Sequence, residues 1–564
     1  MRSAFIAREV AWPRIVRVGG TKLTIHAPQV DAWDGFTLTA RFAVAATRES
    51  RTSYGVVTVD ARTLTDKGTR VVAIDRAHVT VVKFRGVPHE ESARWCEAIA
   101  ADLVGPSRLI SLDRLETSLV ASDIAIAAVQ SIDTTPPRII FASSPTLLVY
   151  IDGTPEYREV VGTPFHRIVN TRPLILLDSQ GRHYLRVFDG WLSAASLDGT
   201  WRVVENPAPE LEAALVITRK ARVVDELTGR SFPGDVAPSL TRSVPIITVV
   251  TAPTEVIVTD GPDNWTPVRG VNVFYLLNTT GRVLKSGQDF KIYALVAGRW
   301  FRAPTLRGPW TYVAANRLPS DFAKIPDSSP IENVKASIPG TKQAREAAIA
   351  TTIAQTSWVR PTSVRFTMPR FDGVPAFKEI EGTKLEYAVN TATPIVRVSS
   401  TTVYSVENGV WFTARTVDGP WTLATSVPAE VYAIPSTSPL YYVTFSRVLE
   451  TAGDTVFVGY TPGYLGAYVD PATSVVVYGT GYTYRPWIGV EWIGAPTTYG
   501  FASNLTYTPW TGWTVGLGLG WAWSSAVVAG GWGWGAYPWW GPWGWGTAFG
   551  PDGLAWNPAW TPVV

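Results

Sequence analysis

A chain of 564 residues exceeds what one hydrophobic core can organise, so several domains are expected. Hydrophobic residues at 46% and charged residues at 17% exclude a disordered chain. A net charge of +3 without any Lys/Arg block leaves no platform for nucleic acid, and the single Cys96 excludes both a disulfide framework and a cysteine zinc site.

The first residues, MRSAFIAREVAWPRIV, carry Arg2 but no sustained apolar stretch, so no signal peptide is read there. Residues 12–135 read as an N-terminal α+β domain. YGVVTVDARTL and TRVVAIDRAHVTVVKF alternate as strands, and HEESARWCEAIAADLVG reads as a helix with Cys96, Ile99 and Leu103 on one face. That placement predicts a buried, inert thiol. HEESA begins like a zinc-protease motif, but Ala93 stands where the second histidine is required.

From residue 136 the chain repeats itself. PPRIIFASSPTLLVYIDGTPEY, VPIITVVTAPTEVIVTDGPDNW and TSVRFTMPRFDGVPAF align on Asp152-Gly153, Asp260-Gly261 and Asp372-Gly373. Ten residues beyond each Asp stands Gly162, Gly270 or Gly382, followed by Asn170-Thr171, Asn278-Thr279 or Asn390-Thr391. Each copy ends with two tryptophans ten apart: Trp191/Trp201, Trp300/Trp310 and Trp411/Trp421. Four markers in fixed order define modules at 136–243, 244–325 and 361–435, built of short antiparallel strands. The segment 326–360 reads as a linker with a helix at TKQAREAAIATTIAQT. The Trp pair brackets a hairpin, and its even spacing suits both indoles on one face. Two readings of that face stay open: the indoles form the module core, or they form an exposed platform.

Residues 436–490 are a Tyr/Val/Gly-rich β segment. Residues 491–564 are a low-charge tail, with no charged residue between Glu491 and Asp552. Trp523, Trp534, Trp545 and Trp556 recur every 11 residues, which leaves room for a strand and a turn. WTVGLGLGWAWSSAVVAGG is uncharged, yet its glycines and central aromatics argue against a membrane helix. So apolar a tail must pack on the modules, associate with other copies, or meet a surface. The expected fold is therefore mainly β: an N-terminal α+β domain, three tandem modules of about 110 residues, and a Trp/Gly-rich β-type tail.

WPRIV, SYGVVTVDARTLTDKGTR, LISLDRLETSL, GRWFRAPTLRGPWTYV and VVVYGTGYTYRPW together resemble a family of bacterial Trp-rich repeat proteins designated carbohydrate-binding family V/XII. The resemblance spans nearly the whole chain. Members of that family begin with a secretory signal peptide, so the resemblance implies an envelope or extracellular location. The residues themselves show no nucleophile elbow, phosphate loop or metal-ligand spacing. A non-catalytic scaffold without cofactor or metal is the expected function, with self-association through the tail and no nucleic-acid partner. The alternative is a carbohydrate-binding protein meeting a polysaccharide or envelope surface through Trp191, Trp201, Trp300, Trp310, Trp411, Trp421, Trp523, Trp534, Trp545 and Trp556. A hydrolase with accessory modules is the third reading.

Overall fold

The computed structural model describes residues 13–494 except 27, 34–35, 50, 67–70, 85–86, 105–108, 113–114, 116–130, 144–145, 222–223, 225, 228–238, 243, 260, 280 and 353, and also 504–508 and 512–516. Asp260, Trp523, Trp534, Trp545 and Trp556, together with most of the uncharged tail, lie outside the described residues. The fold is mainly β.

The N-terminal domain is an antiparallel sheet of seven strands whose three longest are Thr37–Arg48, Arg51–Asp66 and Val71–Phe84. Alternation along them buries Leu38, Ala40, Phe42, Val57, Val59 and Ala61 on one face, as a half-covered sheet requires. Helix α1 (His89–Leu103) covers that face with Trp95, Ile99 and Leu103. Cys96 is 7% exposed on the same side, and burial followed by the nearby Glu97 charge raises its thiol pKa, as expected for an inert cysteine.

Each repeat folds into a six-stranded antiparallel meander in which consecutive strands are neighbours. The first runs from Tyr157–Glu159 to Arg202–Val203, the second from Trp265–Pro267 to Thr311–Val313, and the third from Phe377–Glu379 to Thr422–Leu423. Short loops and β-branched strands make this the locally cheapest arrangement. Positive φ values at Ala297 and Gly298, and at Asn408 and Gly409, form the type I′ turns that match strand twist.

The lead segments of the first two copies do not pair within their own copy. Arg138–Ala142 lies parallel to Thr254–Val258, and Thr146–Tyr150 lies parallel to Ile246–Val250. The copies thus exchange their lead strands reciprocally, and the enclosed face becomes one core shared by Ile175, Leu185, Leu192, Val283, Ile292 and Phe301. Before the third meander the aligned stretch 362–370 forms no strand, and Gln355–Val359, from the segment read as a linker, joins Thr455–Tyr460 and Ser446–Ala452 in an antiparallel sheet. Thr356 fastens it to the N-terminal domain by accepting from the Thr65 amide at 2.8 Å.

The segment downstream of the first meander, and that downstream of the second, cover the other face of each sheet. After the first meander this is helix α2 (Pro209–Ala221), with Pro209 at its start, acidic residues in its first turn, Arg219 and Lys220 in its last, and Leu211, Ala214 and Leu215 buried. After the second it is a 3₁₀ turn at Glu332–Ser337 and helix α3 (Lys342–Thr352). The expected helix in 326–360 is present. Its Ala344, Ala347, Ala348 and Ile349 are buried, so it packs as a core element, and Ile349 enters the N-terminal core.

Arg299 joins the distant parts. It is 2% exposed, and its guanidinium donates to the carbonyls of Asp133 (3.2 Å), Ala297 (3.2 Å), Tyr478 (2.8 Å) and Gly479 (2.7 Å). Beside it the Tyr478 amide donates to Ala297 O and the Asp133 amide to Thr480 O. At Gly298 and Gly481 a Cβ would collide with the backbone of Val476–Val477 and of Asp133 respectively. Residue 133, the 297–299 turn and residues 476–481 therefore meet at one point. Arg299→Met removes the donors and strands buried acceptors, each costing about 1–3 kcal/mol. A loss of at least about 3 kcal/mol is expected, read as a lower midpoint in urea denaturation followed by far-UV circular dichroism.

Candidate functional site

The repeated markers resolve into backbone chemistry. Gly153, Gly261 and Gly373 adopt φ of +85°, +75° and +85°, and Gly162, Gly270 and Gly382 are also left-handed, which explains their recurrence. The repeated Asn is a latch. Asn170 Nδ2 donates to the carbonyls of Asp152 (3.0 Å) and Thr154 (2.7 Å) while its Oδ1 accepts from the Glu156 amide at 2.9 Å. Asn390 repeats this with Asp372, Val374 and Ala376, and Asn278 with Pro262 and Asn264. An amide side chain is needed because only it offers donors and an acceptor together.

The paired tryptophans fall on opposite faces of each meander rather than on one. Trp191, Trp300 and Trp411 are 0–1% exposed and belong to the outer cores. Each indole N–H holds the segment that follows its meander: Trp191 donates to Glu212 Oε1 (2.7 Å), Trp300 to Ser337 O (2.8 Å) and Trp411 to Ser446 O (2.8 Å). Trp201, Trp310 and Trp421 sit in the turn before the last strand and swing to the inner face. The turn residues between the two tryptophans break the two-residue alternation, so an even spacing does not preserve the face. Trp201 is 8% exposed, whereas Trp310 and Trp421 are half-buried. Trp201 and Trp421 donate to the carbonyl four residues earlier, Leu197 (3.4 Å) and Val417 (3.0 Å); the buried Nε1 of Trp310 has no partner among the described residues.

A second use of the repeats lies outside them. Trp487 and Trp492 stand on a two-stranded hairpin of Trp487–Ile488 and Trp492–Ile493. Trp487 Nε1 donates to Asp372 Oδ2 at 2.8 Å, and Trp492 Nε1 to Asp152 Oδ2 at 3.1 Å. Arg158 grips the Val490 carbonyl at 2.9 Å, and Arg370 pairs with Glu491. One strap thus spans the Asp-Gly turns of the first and third copies. The sequence marks Asp152 and Asp372 only as members of the repeated Asp-Gly pair; the tryptophans five apart, before the uncharged stretch, were the available signal.

Beside Trp310 a groove of about 730 Å³ is lined by residues 136–141 and by Leu306, Arg307 and Trp310, with Phe141 stacked on the indole at 5.9 Å and 18°. Tyr157 and His183 Nε2 meet at 3.0 Å, and burial lowers the pKa of that imidazole. No group of three or more His, Cys, Asp or Glu able to hold a metal occurs among the described residues. No helix among them is long and apolar enough to cross a membrane. No protein-family model, curated protein or solved structure matches the chain.

The two strapped carboxylates differ electrically. Burial raises the pKa of Asp152 despite hydrogen bonds from Trp492 and Tyr150. At Asp372 burial acts in the same sense, but the Trp487 indole and the Glu491 and Val490 amides outweigh it and the pKa falls. The linkage signs are opposite. For Asp152 the folded pKa lies above the unfolded one, so stability is lost as pH rises from the unfolded value through the raised one. For Asp372 stability is present above the unfolded value and lost as pH falls through the lowered one. Comparing unfolding midpoints of the unaltered chain with Asp152→Asn and with Asp372→Asn across the carboxylate range should give difference curves of opposite slope.

Proposed function

We propose that this chain is a non-catalytic interaction scaffold of a bacterial envelope or extracellular surface. The observation that carries the reading is the enclosure of Trp191, Trp300 and Trp411, whose indole N–H groups are engaged by the chain itself. The repeated aromatics serve cohesion, and the exchanged lead strands fuse two copies into one body. The reading calls for neither cofactor nor catalytic group. The low-charge tail, 491–564, supplies the self-association, because its length of uncharged, Trp-rich chain has to be removed from water.

Carbohydrate binding is the second reading, and the half-buried Trp310 and Trp421 favour it. The two separate on one titration. With chitin, cellulose and peptidoglycan the scaffold predicts no saturable change in tryptophan emission and no co-sedimentation. Trp300→Ala is expected to cost about 3–5 kcal/mol through the cavity and the freed Ser337 carbonyl. Saturable retention on any one glycan, lost on replacing Trp310 or Trp421 without loss of stability, would replace the scaffold reading with the binding one.

A further inference from the structure

We infer that the strand Arg138–Ala142 presents a free edge at which an extended acidic peptide of a partner protein adds as a third strand. This goes beyond the scaffold reading and does not depend on the tail. Among the described residues the strand belongs to a sheet of two, paired with Thr254–Val258. The Arg138 amide donates to Pro253 O and the Ala142 carbonyl accepts from Thr259. In a parallel ladder this turns the amides and carbonyls of Arg138, Ile140 and Ala142 toward the partner strand, and those of Ile139 and Phe141 away from it. No further backbone partner is found for Ile139 or Phe141 among the described residues.

The groove lies along that edge. A depression over one face of a strand would be lined by alternate residues, whereas here every residue from Pro136 to Phe141 contributes. Its far wall is Leu306, Arg307 and Trp310. Pro136 and Pro137 lack N–H groups, which confines pairing to the five residues that follow, about 17 Å of strand. Charge selects the partner. Arg138 and Arg307 are both exposed, and neither has a carboxylate partner among the described residues. A peptide with alternating acidic residues places carboxylates against both guanidinium groups while its apolar residues meet Trp310 and Phe141. A sugar ring is less well served, since Phe141 already stacks on the indole and the edge amides find no match.

The test is fluorescence anisotropy of the full chain with a fluorescein-labelled decapeptide of alternating Val and Glu. Its counterparts carry Lys in place of Glu, or N-methyl groups at alternate residues along one edge or, in a second form, along the other. Saturable binding is expected for the Glu peptide, weakened more than tenfold by N-methylation of one edge and absent for the Lys peptide. Arg138→Glu combined with Arg307→Glu should weaken it at least tenfold with an unchanged thermal midpoint. No binding of the Glu peptide, equal binding of both N-methylated forms and the parent, or binding of polygalacturonate in its stead would overturn the proposal. Should the double variant fail to fold, the N-methyl comparison on the unaltered chain still decides.

Discussion

A guanidinium in an interior is tolerated only when its donors find acceptors, and Arg299 finds them in backbone carbonyls of its own turn and of two remote parts of the chain. Carbonyls are fixed by the path of the main chain. To satisfy Arg299 is therefore to set the course of residues 133, 297 and 478–479 relative to one another. The glycines at 298 and 481 permit the approach, because any Cβ there would hold the backbones apart. The second meander is thus the hub, with the entry to the repeats and the return after the third copy both laid against its type I′ turn.

The same turn receives the downstream chain in the other copies, by different chemistry. In the first, Asp189 accepts from the Leu240 amide (2.9 Å) and the Ser239 hydroxyl. In the third, the Gly409 carbonyl accepts from Ser446 at 2.7 Å. One geometrical role has been kept while its residues diverged to a carboxylate, an alanine-glycine turn and an asparagine-glycine turn. The enclosed Trp beside each turn is the part that stayed constant, since no smaller side chain fills that volume and offers an N–H to the covering segment.

Much of this was legible in the sequence wherever a residue type answers a local requirement. The Asp-Gly turns, the left-handed glycines and the Asn latch recur because backbone geometry admits few substitutes. The strands announce themselves by β-branched runs, and α1 by Cys96, Ile99 and Leu103 at helical spacing. The features that were not legible depend on distant partners. RIIFA and VIVTD read as strands, but nothing in either says that they pair in parallel with each other. PELEAALVITRKA carried a proline start and charges suited to the helix dipole, a signal that the dominant repeat obscured. Arg299 in GRWFRA looks like any hairpin cation, because its burial is imposed by residues 180 positions later. The two-faced placement of the Trp pair escaped because spacing counts residues, not the turn between them.

The closure at Arg299 also governs the order in which the protein can be made. A ribosome delivers the chain from its N-terminus at about 5–20 residues per second. The first meander cannot obtain its exchanged partner strands until residue 258 has emerged, and Arg299 lacks two of its four acceptors until residue 479 has. Between those points a nascent chain holds a half-built shared core and an Arg299 whose guanidinium still lacks the residues that enclose it. Long-range closure of this kind is slow to reach. The hazard in this fold therefore belongs to synthesis: the second meander must wait, exposed, for its last strands, and a chain halted before residue 467 leaves the core shared by the first two copies unfinished.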